Sequence, residues 1–139
     1  MSDNKLSLKS LLVPSKEVEV DFPGFEGFKL KLSFLSRETL VNMRKKATKV
    51  TFKGRPIEEL NEDLFLKLYV EACIKSWEGL TLEYVNQLAP VDLGDADLSD
   101  TLPFTQENAL YLMKASSVFD QFITETVSEL GNFTKSNKV

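Results

Sequence analysis

The chain has 139 residues, a formal net charge of −4 and no histidine. At this length one domain can bury about two-thirds of its unfolded surface, whereas an acidic chain is poorly suited to nucleic acid, which needs a basic face to displace counterions. Without histidine there is no imidazole base, no His-activated nucleophile and none of the commonest metal ligand, so we expect neither catalysis nor a cofactor.

Residues 1–16 mix polar side chains with a short leucine cluster, and we expect a flexible N-terminal segment there. No run in the chain is apolar enough for a secretion signal or for the about 20 residues that span a bilayer. The single cysteine, Cys73, lies in an apolar pattern, as buried thiols of the reducing cytoplasm do. We therefore expect a cytoplasmic protein without membrane contacts.

Residues 17–34 predict a β-hairpin. Apolar and charged residues alternate with a period of two on both sides of a glycine-containing turn at 23–27. Placing Phe22 opposite Phe28 collects the apolar residues on one face and pairs opposite charges on the other. This register pairs Val20 with Leu30, Val18 with Leu32, Asp21 with Lys29 and Glu19 with Lys31. A shift by one residue would misplace the whole apolar face.

The spacing of apolar residues predicts about five helices after the hairpin. The first follows the N-cap Ser36 and ends near Thr48, and the extended piece at 50–52 is a candidate third strand of the hairpin. Further helices are expected from Asn61 (or Ile57) to about Glu78, over 81–88, over 106–115, and from the capping residue Ser117 to Gly131.

The sequence thus indicates an α+β fold, mostly α, in which an N-terminal β-hairpin is followed by a small bundle of about five helices. One domain covers residues 17–131, with the hairpin at 17–34 and the helices from about 37 to 131. Residues 132–139 are mostly polar and are expected to form a flexible C-terminal tail.

An acidic loop at residues 92–100 carries four aspartates: Asp92, Asp95, Asp97 and Asp100. Carboxylate oxygens bind calcium, but the spacing lacks the alternation of an EF-hand loop and no glutamate closes it. Aspartate also favours turns, and we prefer a solvated, turn-forming loop to an ion site. The sequence therefore offers no candidate catalytic, cofactor-binding or metal-binding residue.

Large apolar side chains are the remaining feature that indicates a function. The final helix carries more of them than a short helix at the end of a small domain needs, and as a set they suit the docking of a partner helix or another subunit. The competing interpretation for each one is packing in the core. The candidate partner-binding residues are Trp77, Phe104, Phe119, Phe122, Ile123 and Val127.

Three motifs in a fixed order carry a resemblance to a known family. They are the Leu35–Leu40 stretch that leads to the basic residues 44–46, the helix end Trp77-Glu78-Gly79-Leu80, and Leu102-Pro103-Phe104-Thr105 with Glu107-Asn108. In this order, across roughly residues 18–135, the chain resembles the tail assembly chaperones of long-tailed bacteriophages.

The resemblance implies a non-enzymatic protein that binds the apolar, helical tape measure protein in the host cytoplasm. Such chaperones keep the tape measure protein soluble, help to recruit the tail tube protein and are absent from the mature virion. Many also exist in a longer form made by a ribosomal frameshift, and some self-associate. The alternative is a structural virion protein, such as a tail completion or connector subunit. A small transcriptional regulator and an enzyme fit the composition less well.

Overall fold

The computed structural model describes residues 7–12 and 16–129, which form an α+β fold of six helices and five strands. The strands make a three-stranded antiparallel sheet in the order β1-β2-β5 and a separate two-stranded sheet, β3-β4. The elements are α1 (Leu8–Leu11), β1 (Glu17–Asp21), β2 (Lys29–Ser33), α2 (Arg37–Ala47), β3 (Thr48–Phe52), β4 (Pro56–Leu60), α3 (Glu62–Cys73), β5 (Ile74–Glu78), α4 (Leu82–Leu88), α5 (Gln106–Ala115) and α6 (Ser117–Ser128).

The N-terminal hairpin has the predicted register. Val20 pairs with Leu30 and Asp21 with Lys29, and the Phe22 amide donates to the Phe28 carbonyl at 2.9 Å. The predicted charge pairing is met in part, because Lys29 lies 3.9 Å from Asp21, whereas Lys31 reaches Glu17 at 3.8 Å instead of its direct partner. Alternation of side chains, with Leu30 and Leu32 fully buried, fixes this register.

The helix expected to run to Glu78 ends at Cys73, and residues 74–78 form the third strand of the sheet. This strand, β5, pairs antiparallel with β2 and sets Trp77 opposite Leu30. Pairing with the second edge of β2 satisfies backbone groups and buries Ile74 completely. Tertiary pairing therefore overrides a helical pattern that is locally acceptable.

The extended piece at 50–52 belongs to β3, which does not join the N-terminal hairpin as expected. It pairs with β4 in a second hairpin, in which Val50 faces Glu58 and Thr51 faces Ile57. The turn between them contains Gly54 at a φ of 82°, a conformation that glycine adopts without strain. The candidate third strand was thus assigned to the wrong sheet.

Side-chain caps begin the helices at or near the predicted residues. The side chains of Ser36, Asn61, Thr81 and Thr105 each accept a hydrogen bond from the backbone amide three residues later. The last helix, α6, differs from its prediction, since Ser116 and not Ser117 is its cap. Its predicted end at Gly131, the C-terminal tail at 132–139 and most of the N-terminal segment lie outside the described residues.

The core lies between the three-stranded sheet and helices α3, α5 and α6. Aromatic rings dominate it: Phe22 stacks on Phe28 with centroids 5.3 Å apart, and Trp77 meets Phe119 edge to face at 6.3 Å. Such pairs contribute about 0.5–1.5 kcal/mol beyond the area they bury. Across the part of the chain that the structure describes, no helix is long and apolar enough to cross a membrane.

Candidate protein-binding groove

The structure places most of the predicted partner-binding residues in the core. Phe119 and Ile123 have no exposed surface, and Val127 and Trp77 are 1% and 8% exposed. The remaining two, Phe104 and Phe122, are half-buried and pack against the core. The four buried residues therefore stabilise the fold of the domain. Of the six candidates, Phe104 and Phe122 reach its surface.

The contacts of Trp77 show how a buried candidate residue stabilises the fold. Its indole Nε1 donates to the Leu102 carbonyl at 2.9 Å, and its ring meets Phe104 edge to face at 5.1 Å. These contacts tie β5 to the segment before α5. A buried indole that lacked this acceptor would cost about 1–3 kcal/mol.

Charge is distributed very unevenly along the chain. From Ser76 to Met113 there is no lysine or arginine, while the acids there are Glu78, Glu83, Asp92, Asp95, Asp97, Asp100 and Glu107. All 17 basic residues and the other 14 of the 21 acids lie outside this stretch. A modest net charge of −4 therefore hides a strongly acidic region formed by α4, the acidic loop and the start of α5.

An apolar groove of about 390 Å³ opens in this acidic region. It runs between α4, residues 91–93 and α5, and Asp92, Asn108 and the Tyr111 hydroxyl are its polar lining groups. The other lining residues are Leu82, Val85, Ala89, Val91, Leu93, Leu102, Leu112 and Ala115. A concave apolar surface with few polar side chains has the form that accepts the apolar face of an amphipathic helix.

The acidic loop is held against α4 by its backbone. The amides of Leu82 and Glu83 donate to the carbonyls of Asp100 and Leu98, at 2.8 and 3.1 Å. Asp97 closes a turn by accepting from the Ser99 amide at 2.9 Å, and this hydrogen bond lowers the pKa of the Asp97 carboxyl. The acidic loop is therefore fixed against α4, which forms one wall of the groove, and its first residue, Asp92, lines the groove.

Comparison with known proteins identifies the family. The family model described as YdaY prophage protein matches residues 32–139. This chain belongs to the YdaY prophage protein family. No curated protein and no solved structure matches it. The expected phage association is therefore shown, while the match says nothing of tail assembly or of a tape measure protein. It covers the last two residues of β2 and every later element, including the whole groove.

This prophage protein exposes a second apolar surface on its β3–β4 hairpin. Val50 and Phe52 alternate on one face and are 53% and 74% exposed, and Leu60, also on that face, is 37% exposed. A third apolar surface is formed by α1, whose leucines are 60% to 70% exposed. The groove differs from both because it is concave and has Asp92 as its one charged lining residue.

Cys73, the one thiol of this prophage protein, is fully buried in the core. Burial raises the pKa of the Cys73 thiol to about 12, so at neutral pH it is a protonated, unreactive side chain. Nor does any group of three or more acidic or cysteine side chains in residues 7–12 and 16–129 come together as a metal site. The groove is the feature from which a function can be argued.

Proposed function

We propose that this prophage protein is a tail assembly chaperone that binds its phage's tape measure protein in the host cytoplasm. The observation that carries the proposal is the apolar groove, lined by one aspartate and open at the surface of a protein from a prophage family. The order of sequence motifs that resembles tail assembly chaperones supports it independently.

The groove suits the chemistry of such a client. A long helical protein that has not yet assembled exposes apolar stripes, which aggregate unless they are covered. A groove lined by leucine, valine and alanine covers a short part of a stripe, at about 25 cal/mol for each Å² removed from water. Many subunits bound along one client gain avidity, so each contact is individually weak and reversible.

Further elements of the proposal follow from the same resemblance. The chaperone acts without catalysis, is left out of the mature virion, and brings tail tube protein to the tape measure protein through a longer, frameshifted form. Phe104 and Phe122 remain candidate partner contacts, because both are half-buried and reach the surface.

Co-expression with the tape measure protein of the same prophage tests the proposal. We expect a higher soluble yield of the tape measure protein and its co-purification with this chain. Ala115→Arg places a long side chain in the groove and should abolish both effects, since Ala115 is exposed and lines the groove. Val118→Arg is the matched control, because Val118 is 58% exposed but does not line the groove. An unchanged yield without co-purification would refute the proposal.

A structural virion protein is the alternative function. Mass spectrometry of particles purified after prophage induction separates the two roles, because a structural subunit stays in the virion and a chaperone does not. Finding the chain in mature particles at the copy number of a tail component would favour the alternative.

A further inference from the structure

The chain carries a short helix whose chemistry is the opposite of the groove's. Leu8, Leu11 and Leu12, at helical positions i, i+3 and i+4, are 70%, 60% and 64% exposed. The helix also carries Lys9, and the sequence places Lys5 and Lys16 on either side of it. Residues 5–16 hold three lysines and no acid. Helix α1 is therefore a basic, leucine-rich segment whose apolar side is not covered in the single folded chain.

The groove is complementary to this segment in apolar surface and in charge. Its walls are mostly aliphatic, with Asp92 as the one charged lining residue, and the loop that begins at Asp92 carries three more aspartates, Asp95, Asp97 and Asp100. No lysine or arginine occurs between Ser76 and Met113. Lys114 lies beside the groove, 5.9 Å from the Tyr111 ring centroid, but its ammonium is 3.8 Å from the Asp63 carboxylate, which offsets its charge. Apolar contact and charge complementarity therefore favour the same occupant.

The position of the segment in the fold favours a neighbouring molecule over its own groove. The Phe34 amide donates to the Lys16 carbonyl at 2.9 Å, so the segment leaves the sheet at the start of β1. Helix α4 lies at the opposite end of that hairpin, where the Tyr84 hydroxyl donates to the Glu26 carbonyl at 2.7 Å. The link from Leu12 to Lys16 spans at most about 14 Å, less than the about 17 Å that separate Lys16 from Asp21 at the far end of β1.

We propose that α1 of one molecule docks in the groove of a second copy, with its leucines against the apolar walls and its lysines toward the aspartates. The protein then covers its own groove while no client is bound. A client helix with the same chemistry displaces α1 by competition. This self-recognition extends the proposed function but is tested without a tape measure protein, so each idea can fail alone.

Two full-length variants test the docking by complementation. Replacing Leu8, Leu11 and Leu12 by serine removes the apolar side of α1 and leaves the groove intact. Ala115→Arg blocks the groove and leaves α1 intact. In sedimentation velocity we expect the wild type to associate as its concentration rises, each variant alone to stay monomeric, and an equal mixture of the two to form heterodimers. Val118→Arg should associate like the wild type.

A peptide of residues 1–16 provides a direct measurement. Labelled at its C-terminus and titrated into the full-length triple-serine variant, it should bind with an affinity that falls at least about fivefold when salt rises from about 50 to 300 mM. Adding Ala115→Arg to that variant should weaken binding at least about tenfold, and adding Val118→Arg should not. Circular dichroism checks that each variant folds, and Tyr111→Lys, at a residue 61% exposed, replaces any groove variant that does not.

Three results would overturn the inference. Wild-type protein that stays monomeric at all concentrations would exclude a second copy as the occupant, even if α1 reached its own groove. Association of the triple-serine variant equal to that of the wild type would show that α1 is not used. Peptide binding that is absent, or equally strong with Ala115→Arg and Val118→Arg, would exclude the groove.

Discussion

Gly79 lies where the backbone after β5 passes close to the backbone of the N-terminal hairpin. Its φ is +77°, and a Cβ at this position would overlap the carbonyl oxygen of Gly27. The Gly27 carbonyl belongs to the backbone and is not the end of a flexible side chain, so only a shift of the backbone could relieve the contact. The helix-like end predicted around Gly79 is in fact the place where β5 leaves the sheet.

Gly79→Ala should therefore lower the free energy of unfolding by about 3 kcal/mol or more, from the strained φ and the backbone displacement together. Gly54→Ala is the control, because its φ of +82° is similar but nothing lies within 4 Å of the added Cβ. It should cost about 1 kcal/mol. Urea denaturation measures both, and equal losses would show that the contact with Gly27 is unimportant.

The fully buried Cys73 thiol and the partly buried Tyr69 hydroxyl make the free energy of unfolding depend on pH in the alkaline range. Burial raises the pKa of Cys73 from 9.0 to about 12 and that of Tyr69 from 10.0 to about 12. Above about pH 9 the unfolded chain loses protons that the folded chain keeps, so the free energy of unfolding falls as pH rises toward 12. Denaturation at pH 8, 10 and 11 should show a shallower decline for Cys73→Ala. The same slope in both proteins would contradict this assignment.

At the scale of secondary structure, the residues that the sequence predicts well are those with two independent signals. The hairpin register followed from alternation and from opposite charges that meet, and the structure confirms it. The boundary between α3 and β5 had no such signal. Val70, Cys73, Ile74 and Trp77 stand at i, i+3, i+4 and i+7, which is ideal helical spacing, yet the chain changes to a strand after Cys73. The change from helix to strand is caused by pairing with the open edge of β2. A local sequence pattern carries no information about this distant strand.

The start of α6 allows a sharp test of capping. The Ser116 side chain is buried and accepts from the Phe119 amide at 3.0 Å, whereas Ser117 is exposed. Ser116→Ala should cost about 1 to 2 kcal/mol, because it removes the cap and leaves an amide without a partner. Ser117→Ala should stay within about 0.5 kcal/mol of the wild type. Thermal unfolding of the pair measures the difference, and a reversed order would restore the sequence-based assignment.

For the molecule as a whole, the charge of the region around the candidate site can be predicted from the sequence, whereas its apolar lining cannot. The absence of basic residues from 76 to 113 can be read directly and signals an acidic surface. The apolar lining could not be read, because its residues come from α4, the acidic loop and α5 and meet only in the folded chain. Phe119 and Ile123 were predicted to bind a partner because they are large and apolar. The structure buries both, since they cover the three-stranded sheet, and the sequence alone does not show this.

The two sheets should also differ in dynamics. The β3–β4 sheet has two strands and an exposed apolar face, whereas β2 is the central strand of a sheet covered by helices. Isolated two-stranded hairpins are marginally stable, so its paired amides should exchange with deuterium at least about tenfold faster than those of β2. Hydrogen exchange followed by NMR measures this. Equal protection would show that the second hairpin unfolds only together with the core.

The position of Trp77 gives the protein a built-in optical signal. It is the only tryptophan, it is nearly buried, and its indole bonds to the carbonyl of Leu102, which itself lines the groove. Its emission should be shifted to short wavelength in the native state. A ligand that moves the Leu102 segment would change that emission, so occupancy of the groove can be followed by fluorescence without attaching a dye to the chain.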